Sequence, residues 1–272
     1  MHIERGKNTM RAAVLHGPQQ VSMEELPIPE IGATEVLVKI ESATTCATDL
    51  KVFQQGGHAR MLTVPSVFGH EFSGTIAAVG ARVQGFQEGT RVVANNSAPC
   101  HQCYYCRRHL ANLCEDLLFL NGAYAEYIAV PQRIVQTNLV ALPDTMPYAT
   151  ACLTEPLACV LHCLVKALFD PGDTVVINGD GASGLMLAAG AAWRGARVIL
   201  CGRAPQRLRM APHFGVEAVI NYAAVADQVA AVRALTAGGR GVDVAIEAVG
   251  RPEVWEATVA MVRKGGQAIF GA

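Results

Sequence analysis

A glycine-rich turn at residues 179–184, Gly-Asp-Gly-Ala-Ser-Gly, is the feature that most constrains the fold of this chain. It follows an apolar run at residues 174–177 and precedes an alanine-rich segment that extends to residue 193. Glycines at this spacing let a strand turn tightly into a helix whose N-terminus presents free N–H groups and a positive dipole end to a pyrophosphate. An ordinary glycine-rich turn is the alternative. The context favours a dinucleotide-binding turn, with the candidate residues Gly179, Gly181, Ala182, Ser183 and Gly184.

The C-terminal half of the chain alternates strands with helices. Strands are predicted at residues 174–178, 197–200, 218–221, 243–247 and 267–270. Such alternation is typical of a parallel, doubly wound sheet in an α/β fold. The residues directly after the strand at 243–247 are further candidates for cofactor binding, namely Ala248, Val249 and Gly250.

The N-terminal half has a different sequence pattern. Short runs rich in Val, Ile or aromatic residues, separated by Gly and Pro, lie at residues 11–15, 35–40, 74–79, 91–94 and 124–130. This pattern predicts a mainly β domain. A linker at residues 154–171 contains an apolar stretch at 158–169 that predicts a helix. We therefore expect one domain over residues 10–153 and a second over residues 154–272.

The composition excludes several classes of protein. Of 272 residues, 51% are apolar and 17% are charged, which excludes a disordered chain. Lys and Arg total 22 against 23 Asp and Glu, so the chain lacks the cationic excess that attracts nucleic acid or an anionic membrane. No window approaches the roughly 18 uninterrupted apolar residues of a spanning helix, and the polar N-terminus has no apolar signal core. We expect a cytoplasmic protein.

Four cysteines form a compact set at Cys100, Cys103, Cys106 and Cys114. A segment this short can wrap four thiolates tetrahedrally around Zn²⁺, and a reducing compartment favours metal binding over disulfides. An iron–sulfur cluster and four unrelated buried cysteines are the alternatives. Because four thiolates leave no open coordination position, the predicted zinc site is structural.

A second candidate set joins Cys46, which Thr48 and Asp49 follow closely, with His70 and Glu71. A thiolate and an imidazole are good zinc ligands, a carboxylate can complete the set, and a position left to water or substrate makes the metal catalytic. Two alternatives do not involve a metal. The adjacent His and Glu can be an ordinary core or surface pair with satisfied hydrogen bonds, and Cys46 can be a small buried hydrophobic residue. This set predicts a catalytic zinc site.

The end of the strand at residues 197–200 bears on the choice of cofactor. An acidic residue is expected there to hold the ribose 2′-hydroxyl of NAD, but Gly202 and Arg203 follow, with Arg207 a helical turn further on. A small residue followed by arginine leaves room and charge for a 2′-phosphate. The sequence therefore favours NADP(H) over NAD(H), unless the arginines only form a solvated face.

Several motifs together resemble those of zinc-containing medium-chain alcohol and polyol dehydrogenases, over residues 10–272. They appear in the family's order, at residues 46–51, 69–74, 100–114, 123–127, 155–159 and 179–184. The resemblance implies a GroES-like, mainly β catalytic domain and a Rossmann domain, with a catalytic zinc between them. Glu155 makes the chain similar to the sorbitol and threonine dehydrogenase relatives.

The resemblance also implies roles for individual residues. Cys46, His70 and either Glu155 or Glu71 would be the ligands of the catalytic zinc. Thr48 would accept the first proton of an alcohol or polyol whose hydride passes to the nicotinamide, and Asp49 would orient His70. Lys51 stands where many relatives have the histidine that ends the proton relay, so the proton's exit route stays open.

The chain departs from the family pattern at four places. Asp180 sets a carboxylate beside the expected pyrophosphate, His109 replaces a usual glycine, and residues 1–9 form an extension. The chain also stops before the sixth strand and the returning C-terminal segment, so we expect an incomplete Rossmann domain without the dimer edge of the family's homo-oligomers. A truncated, non-catalytic remnant that keeps structural zinc is therefore the alternative function. The ligand residues exclude a zinc-free quinone reductase.

Overall fold

The structure, a computed structural model, describes residues 8–271. The predicted N-terminal extension therefore lies almost wholly outside the described residues, as does Ala272. The chain divides into two compact units, with the division between Glu155 and Pro156. Each unit is built around its own sheet system and its own hydrophobic core.

The first unit is mainly β. Its elements are β1 Thr9–Gly17, β2 Gln20–Pro27, β3 Val36–Thr44, α1 Ala47–Gln55, β4 Ser66–Val67, β5 Glu71–Val79, β6 Arg91–Ala94, β7 Ser97–Ala98, β8 Leu118–Phe119, β9 Tyr127–Val130, α2 Gln132–Thr137, β10 Leu139–Ala141 and α3 Tyr148–Ala151. Short 3-10 helices lie at Cys106–Arg108 and Ala111–Leu113.

Antiparallel pairing organises this unit. A five-stranded sheet has the order β10-β6-β5-β3-β9, and β2-β1-β4 and β7-β8 form two smaller sheets. Alternate residues of β3, β5 and β6 belong to one core cluster, in which Val36, Val38, Phe72, Ile76 and Val92 have no solvent exposure. Leu37 of β3 and Ala77 of β5 point to the opposite face and are buried in a second, smaller cluster, so this part of the sheet is covered on both faces.

The predicted strands of this unit differ from the observed ones mainly in length. The strand predicted at 124–130 is only Tyr127–Val130, and the strand predicted at 74–79 begins three residues earlier, at Glu71. β2 was not predicted. Its residues alternate between exposed and half-buried positions, so it has no apolar run to mark it.

The second unit alternates strands and helices. It contains α4 Thr154–Lys166, whose first two residues precede the division, β11 Thr174–Asn178, α5 Ala182–Trp193, β12 Arg197–Gly202, α6 Pro205–Met210, β13 Val216–Asn221, α7 Gln228–Ala234, β14 Val242–Glu247, α8 Pro252–Met261 and β15 Val262–Phe270. All neighbouring strands run parallel in the order β13-β12-β11-β14-β15. The predicted parallel α/β sheet is confirmed, and its central strands are apolar because helices cover both faces.

The predicted linker helix is displaced toward the N-terminus. The apolar stretch predicts a helix at residues 158–169, whereas α4 spans Thr154–Lys166. Glu155 and Pro156 lie in its first turn, where an acidic group favours the helix dipole and proline loses no hydrogen bond. Phe169 lies beyond the helix end and is buried, with the Arg194 guanidinium 4.0 Å from its ring centre.

One stretch of the described residues has the length and composition of a membrane span. It is Tyr148–Lys166, which joins α3 and α4 in 19 residues with a mean hydropathy of 1.4. The core helices of soluble proteins pass the same test, and this stretch contains the buried carboxylate of Glu155. We assign it no role in a membrane.

Candidate active site

The register of two strands brings the candidate catalytic ligands together. Thr44, the last residue of β3, pairs with Glu71, the first residue of β5. The chain that leaves β3 therefore passes beside the chain that enters β5, which places Cys46 near His70. Cys46 is also the N-cap of α1, and its sulfur accepts a hydrogen bond from the backbone N–H of Thr48 at 3.4 Å.

Cys46, His70 and Glu71 form a compact donor set. One ligand atom from each lies within 4.8 Å of the others. His70 and Glu71 are each only 3% exposed, whereas Cys46 is partly exposed. A thiolate, an imidazole and a carboxylate at this separation suit a zinc ion with one open position.

Asp49 orients the His70 ring, and Tyr124 in turn binds Asp49. The Nδ1 atom of His70 lies 3.0 Å from Oδ1 of Asp49. The other carboxylate oxygen of Asp49 accepts hydrogen bonds from the Cys46 backbone N–H at 2.9 Å and from the Tyr124 hydroxyl at 2.9 Å. These contacts fix the imidazole ring and leave its Nε2 atom for a metal, as is usual for histidine ligands of zinc.

The site carries an excess of negative charge. Burial by itself would lower the pKa of His70, but hydrogen bonds with Asp49 and Cys46 and the charges of Asp49 and Glu155 outweigh it and raise the pKa to about 10. Burial would raise the pKa of Asp49, but its hydrogen bonds, first of all with His70, lower it. A group of anionic donors that stabilises a cation in this way fits Zn²⁺.

Two buried carboxylates, Glu71 and Glu155, are candidates to complete the set. Glu71 belongs to the compact group, and its Oε2 atom accepts a hydrogen bond of 2.5 Å from the Thr44 hydroxyl. Glu155 is 8% exposed and acts on His70 through its charge. Both candidates for the third ligand are therefore buried in the same unit.

The two remaining catalytic candidates lie on α1. Thr48 is partly exposed, and within residues 8–271 its hydroxyl has no hydrogen-bond partner, which leaves it available to a substrate. Lys51 is exposed, and its side chain forms no ion pair with the described residues.

The four cysteines of the second set converge in one looping segment. Their sulfur atoms lie within 4.8 Å of one another, with 4.0 Å between Cys100 and Cys106 and 3.9 Å between Cys103 and Cys114. A tetrahedral zinc with bonds of about 2.3 Å needs sulfur separations of about 3.8 Å, so the set fits zinc closely. Backbone N–H groups of Cys100 and Cys106 donate to two of the sulfurs.

The glycine-rich turn has the geometry of a pyrophosphate cradle. Gly179 has a φ of +131°, and a Cβ on Gly184 would lie 1.9 Å from the Gly179 carbonyl oxygen, so both positions require glycine. A Cβ on Gly181 would meet nothing within 4 Å, which leaves open space in front of α5. No side chain caps this helix, so its first N–H groups are free to bind an anion.

The other predicted cofactor residues flank the same edge of the sheet. Ala248, Val249 and Gly250 follow β14, and the buried carboxylate of Glu247 holds this loop by accepting from the N–H groups of Val249 and Gly250 at 2.6 and 2.7 Å. Gly202 ends β12 and is buried, whereas Arg203 and Arg207 are exposed.

Three supporting residues were missed by sequence reasoning. Tyr124 lies in the motif at residues 123–127. That motif belongs to the family resemblance, but nothing in the sequence indicates the contact of Tyr124 with Asp49. Thr44 has no local signal, because its contact with Glu71 depends on strand register. Glu247 was missed although its partners Val249 and Gly250 directly follow in the same loop.

Comparisons with known proteins agree with this architecture. Residues 32–144 match the alcohol dehydrogenase GroES-like domain, and residues 182–272 match the zinc-binding dehydrogenase family. Sorbitol dehydrogenase of Bacillus subtilis strain 168 is 35% identical over 96% of this chain and 75% of its own length. L-Threonine 3-dehydrogenase of Chelativorans sp. strain BNC1 is 34% identical over 97% of this chain and 77% of its own length.

A solved structure supports the same conclusion. A zinc-binding dehydrogenase of Sinorhizobium meliloti 1021, bound to NADP, is 30% identical with a TM-score of 0.88, over 97% of this chain and 77% of that protein. The fold and the site define a zinc-dependent oxidoreductase with a GroES-like unit and a Rossmann unit. The chain belongs to the zinc-containing medium-chain dehydrogenase family.

Proposed function

We propose that this protein oxidises a secondary alcohol, such as a polyol or a hydroxy amino acid, by hydride transfer to a nicotinamide dinucleotide. The observation that carries the proposal is the compact set of Cys46, His70 and Glu71, with His70 held by Asp49. The relatives named for sorbitol and L-threonine support the substrate class. Nothing in the comparisons supports a non-catalytic remnant.

We propose Cys46, His70 and Glu71 as the ligands of a catalytic zinc, with Glu155 as the alternative to Glu71. A zinc ion bound there supplies a Lewis acid that lowers the pKa of a coordinated alcohol, and the nicotinamide supplies the hydride acceptor. The Thr48 hydroxyl is the first acceptor of the alcohol proton. Lys51, exposed on the same helix, is the outer end of the proposed proton route.

A second zinc is proposed in the lobe of Cys100, Cys103, Cys106 and Cys114, where its role is structural. Gly179, Gly181, Ala182, Ser183 and Gly184 are proposed to bind the pyrophosphate, and Ala248, Val249 and Gly250 to line the nicotinamide side. A cytoplasmic location, where thiols stay reduced, is part of the proposal, and none of the nine cysteines, which all lie within residues 8–271, forms a disulfide. The sequence-based preference for NADP(H) rests on Gly202, Arg203 and Arg207 and stays a prediction.

The test is an oxidation assay with zinc-loaded protein, read from the absorbance of the reduced nicotinamide. Sorbitol, L-threonine, 2,3-butanediol and 2-propanol are offered with either NAD or NADP. We expect Thr48→Val to lower kcat by about 100-fold or more, because a positioned proton acceptor contributes that much. Thr48→Ser keeps the hydroxyl and is expected to keep most of the activity.

Two controls make this result decisive. Zinc content and dinucleotide affinity must stay unchanged in Thr48→Val, and the exposed Thr63→Val should behave as the parent protein. No turnover of any alcohol by the zinc-loaded parent protein would refute the proposed function. Full activity in Thr48→Val would refute the role of Thr48 alone.

A further inference from the structure

The Asp180 side chain lies against the end of a neighbouring strand. It occupies the second position of the glycine-rich turn, directly after Gly179. Its Oδ2 atom accepts hydrogen bonds from the backbone N–H groups of Arg203 at 3.1 Å and Ala204 at 2.7 Å. These two residues follow Gly202, the last residue of β12.

Asp180 fills the space that a side chain at residue 202 would take. A Cβ added to Gly202 would lie 2.5 Å from Cβ and 2.6 Å from Cγ of Asp180. Dinucleotide-binding folds that use NAD usually place an acidic side chain at this strand end, where it binds the ribose 2′-hydroxyl. In this chain a carboxylate stands at that place, but it comes from the glycine-rich turn.

We infer that Asp180 selects the cofactor: it replaces the missing acid at the end of β12, accepts the ribose 2′-hydroxyl and makes NAD(H) the preferred cofactor. This inference rests on the proposed function. The Oδ1 atom of Asp180 makes no hydrogen bond with the described residues, so it is available to a hydroxyl donor. The carboxylate is half-buried, and its two backbone hydrogen bonds fix its direction.

The same contacts act against a 2′-phosphate. A phosphate at the end of β12 would need N–H donors, and the N–H groups of Arg203 and Ala204 already bind Asp180. The phosphate would also stand beside a like charge, which costs free energy. Arg203 and Arg207 supply positive charge, but both are exposed, where solvent and salt screen their attraction.

This inference opposes the preference for NADP(H) predicted from Gly202 and the arginines, and it gives another reason for Gly202. Glycine is favoured there because Asp180 occupies the space, together with the Cδ2 atom of Leu208 at 2.7 Å from an added Cβ, whatever the cofactor. An aspartate introduced at Gly202 alone would collide with Asp180. The informative variant is therefore the exchange, in which Asp180→Gly is combined with Gly202→Asp.

Fluorescence titration of the intact, zinc-loaded protein with NADH and NADPH tests the inference without turnover. We expect the parent protein to bind NADH more tightly than NADPH by about tenfold. Asp180→Asn should reduce or reverse that ratio by about tenfold or more, because it removes the charge and keeps the shape. The exchange variant returns a carboxylate to the same place from the strand and should restore the preference for NADH.

Asp173→Asn is the matched control. Asp173 also accepts a backbone N–H, from Asp170 at 2.9 Å, but it precedes β11, at the opposite end of the strand from Asp180. It should leave the ratio unchanged. Tighter binding of NADPH by the parent protein, or an unchanged ratio in Asp180→Asn, overturns the inference while the proposed function stands. Binding of neither dinucleotide overturns the proposed function and this inference with it.

Discussion

The two candidate zinc sites of the first unit are built in opposite ways. The cysteine lobe takes all four ligands from one segment, Cys100 to Cys114, whose turns and short 3-10 helices bring the sulfurs together. The catalytic set takes Cys46 from the start of α1 and His70 and Glu71 from the start of β5. Its geometry depends on the pairing of Thr44 with Glu71.

This difference has physical consequences. The two 3-10 helices of the lobe bury no residue, so the lobe must obtain its order from the metal, and loss of zinc there is loss of folding free energy. The catalytic set rests on a sheet with a buried core, and the sheet holds its ligands in place without the metal. We therefore expect mutations in the lobe to act on stability and mutations in the catalytic set to act on metal affinity and turnover.

The largest expected effect is in the lobe. Cys103→Ser removes one of four thiolates and should lower the free energy of unfolding by several kcal/mol, because structural zinc binding contributes directly to folding. Zinc analysis of the folded fraction and thermal unfolding measure the two effects. The exposed Cys159→Ser is the control and should keep both zinc ions. A folded Cys103→Ser protein of unchanged stability would show that the lobe does not need its metal.

The next effect concerns the third ligand of the proposed catalytic zinc. We expect Glu71→Gln to remove the catalytic zinc, leaving the lobe zinc and the unfolding temperature nearly unchanged. Glu155→Gln should weaken the zinc less, because Glu155 acts on His70 through its charge. Zinc titration with a competing chelator measures both affinities. A larger loss of zinc affinity in Glu155→Gln than in Glu71→Gln would identify Glu155 as the third ligand.

A smaller effect is expected at the residue behind His70. Asp49→Asn should lower the affinity for catalytic zinc by about 10- to 100-fold, since such partners orient the ligand and raise its basicity. It should also lower the pKa of His70 in the metal-free protein, because a hydrogen bond and a charge that raise it are weakened or lost. Chelator competition and NMR titration measure these changes. Unchanged zinc affinity would contradict the supporting role of Asp49.

The smallest effect tests backbone strain in the lobe. His109 has a φ of +59° and ends a 3-10 helix in the left-handed region that glycine adopts without cost. His109→Gly should therefore raise the free energy of unfolding by about 1 kcal/mol. His109→Ala keeps the Cβ atom and should bring no such gain. Equal stabilities of the Gly and Ala variants in denaturant titrations would argue against strain at this position.

Prediction from sequence worked best where a structure is local. The spacing of the four cysteines and the placement of the glycine-rich turn between a strand and a helix are contiguous patterns, and both are found as compact local structures. The polar edge strand β2 and the true start of α4 were missed or misplaced. Neither follows from apolar periodicity, because β2 has no apolar run and α4 begins with Thr, Glu and Pro.

The sequence by itself determined the two fold types, the cysteine lobe and the family, since these depend on residue types at fixed short spacings. Only the tertiary structure decided which distant groups meet. Strand register placed Cys46 beside His70, and the fold placed the Tyr124 hydroxyl against Asp49. Packing of the glycine-rich turn against β12 set Asp180 over Gly202, although the two residues belong to different elements. Such contacts follow from chain topology, which short-range sequence patterns do not encode.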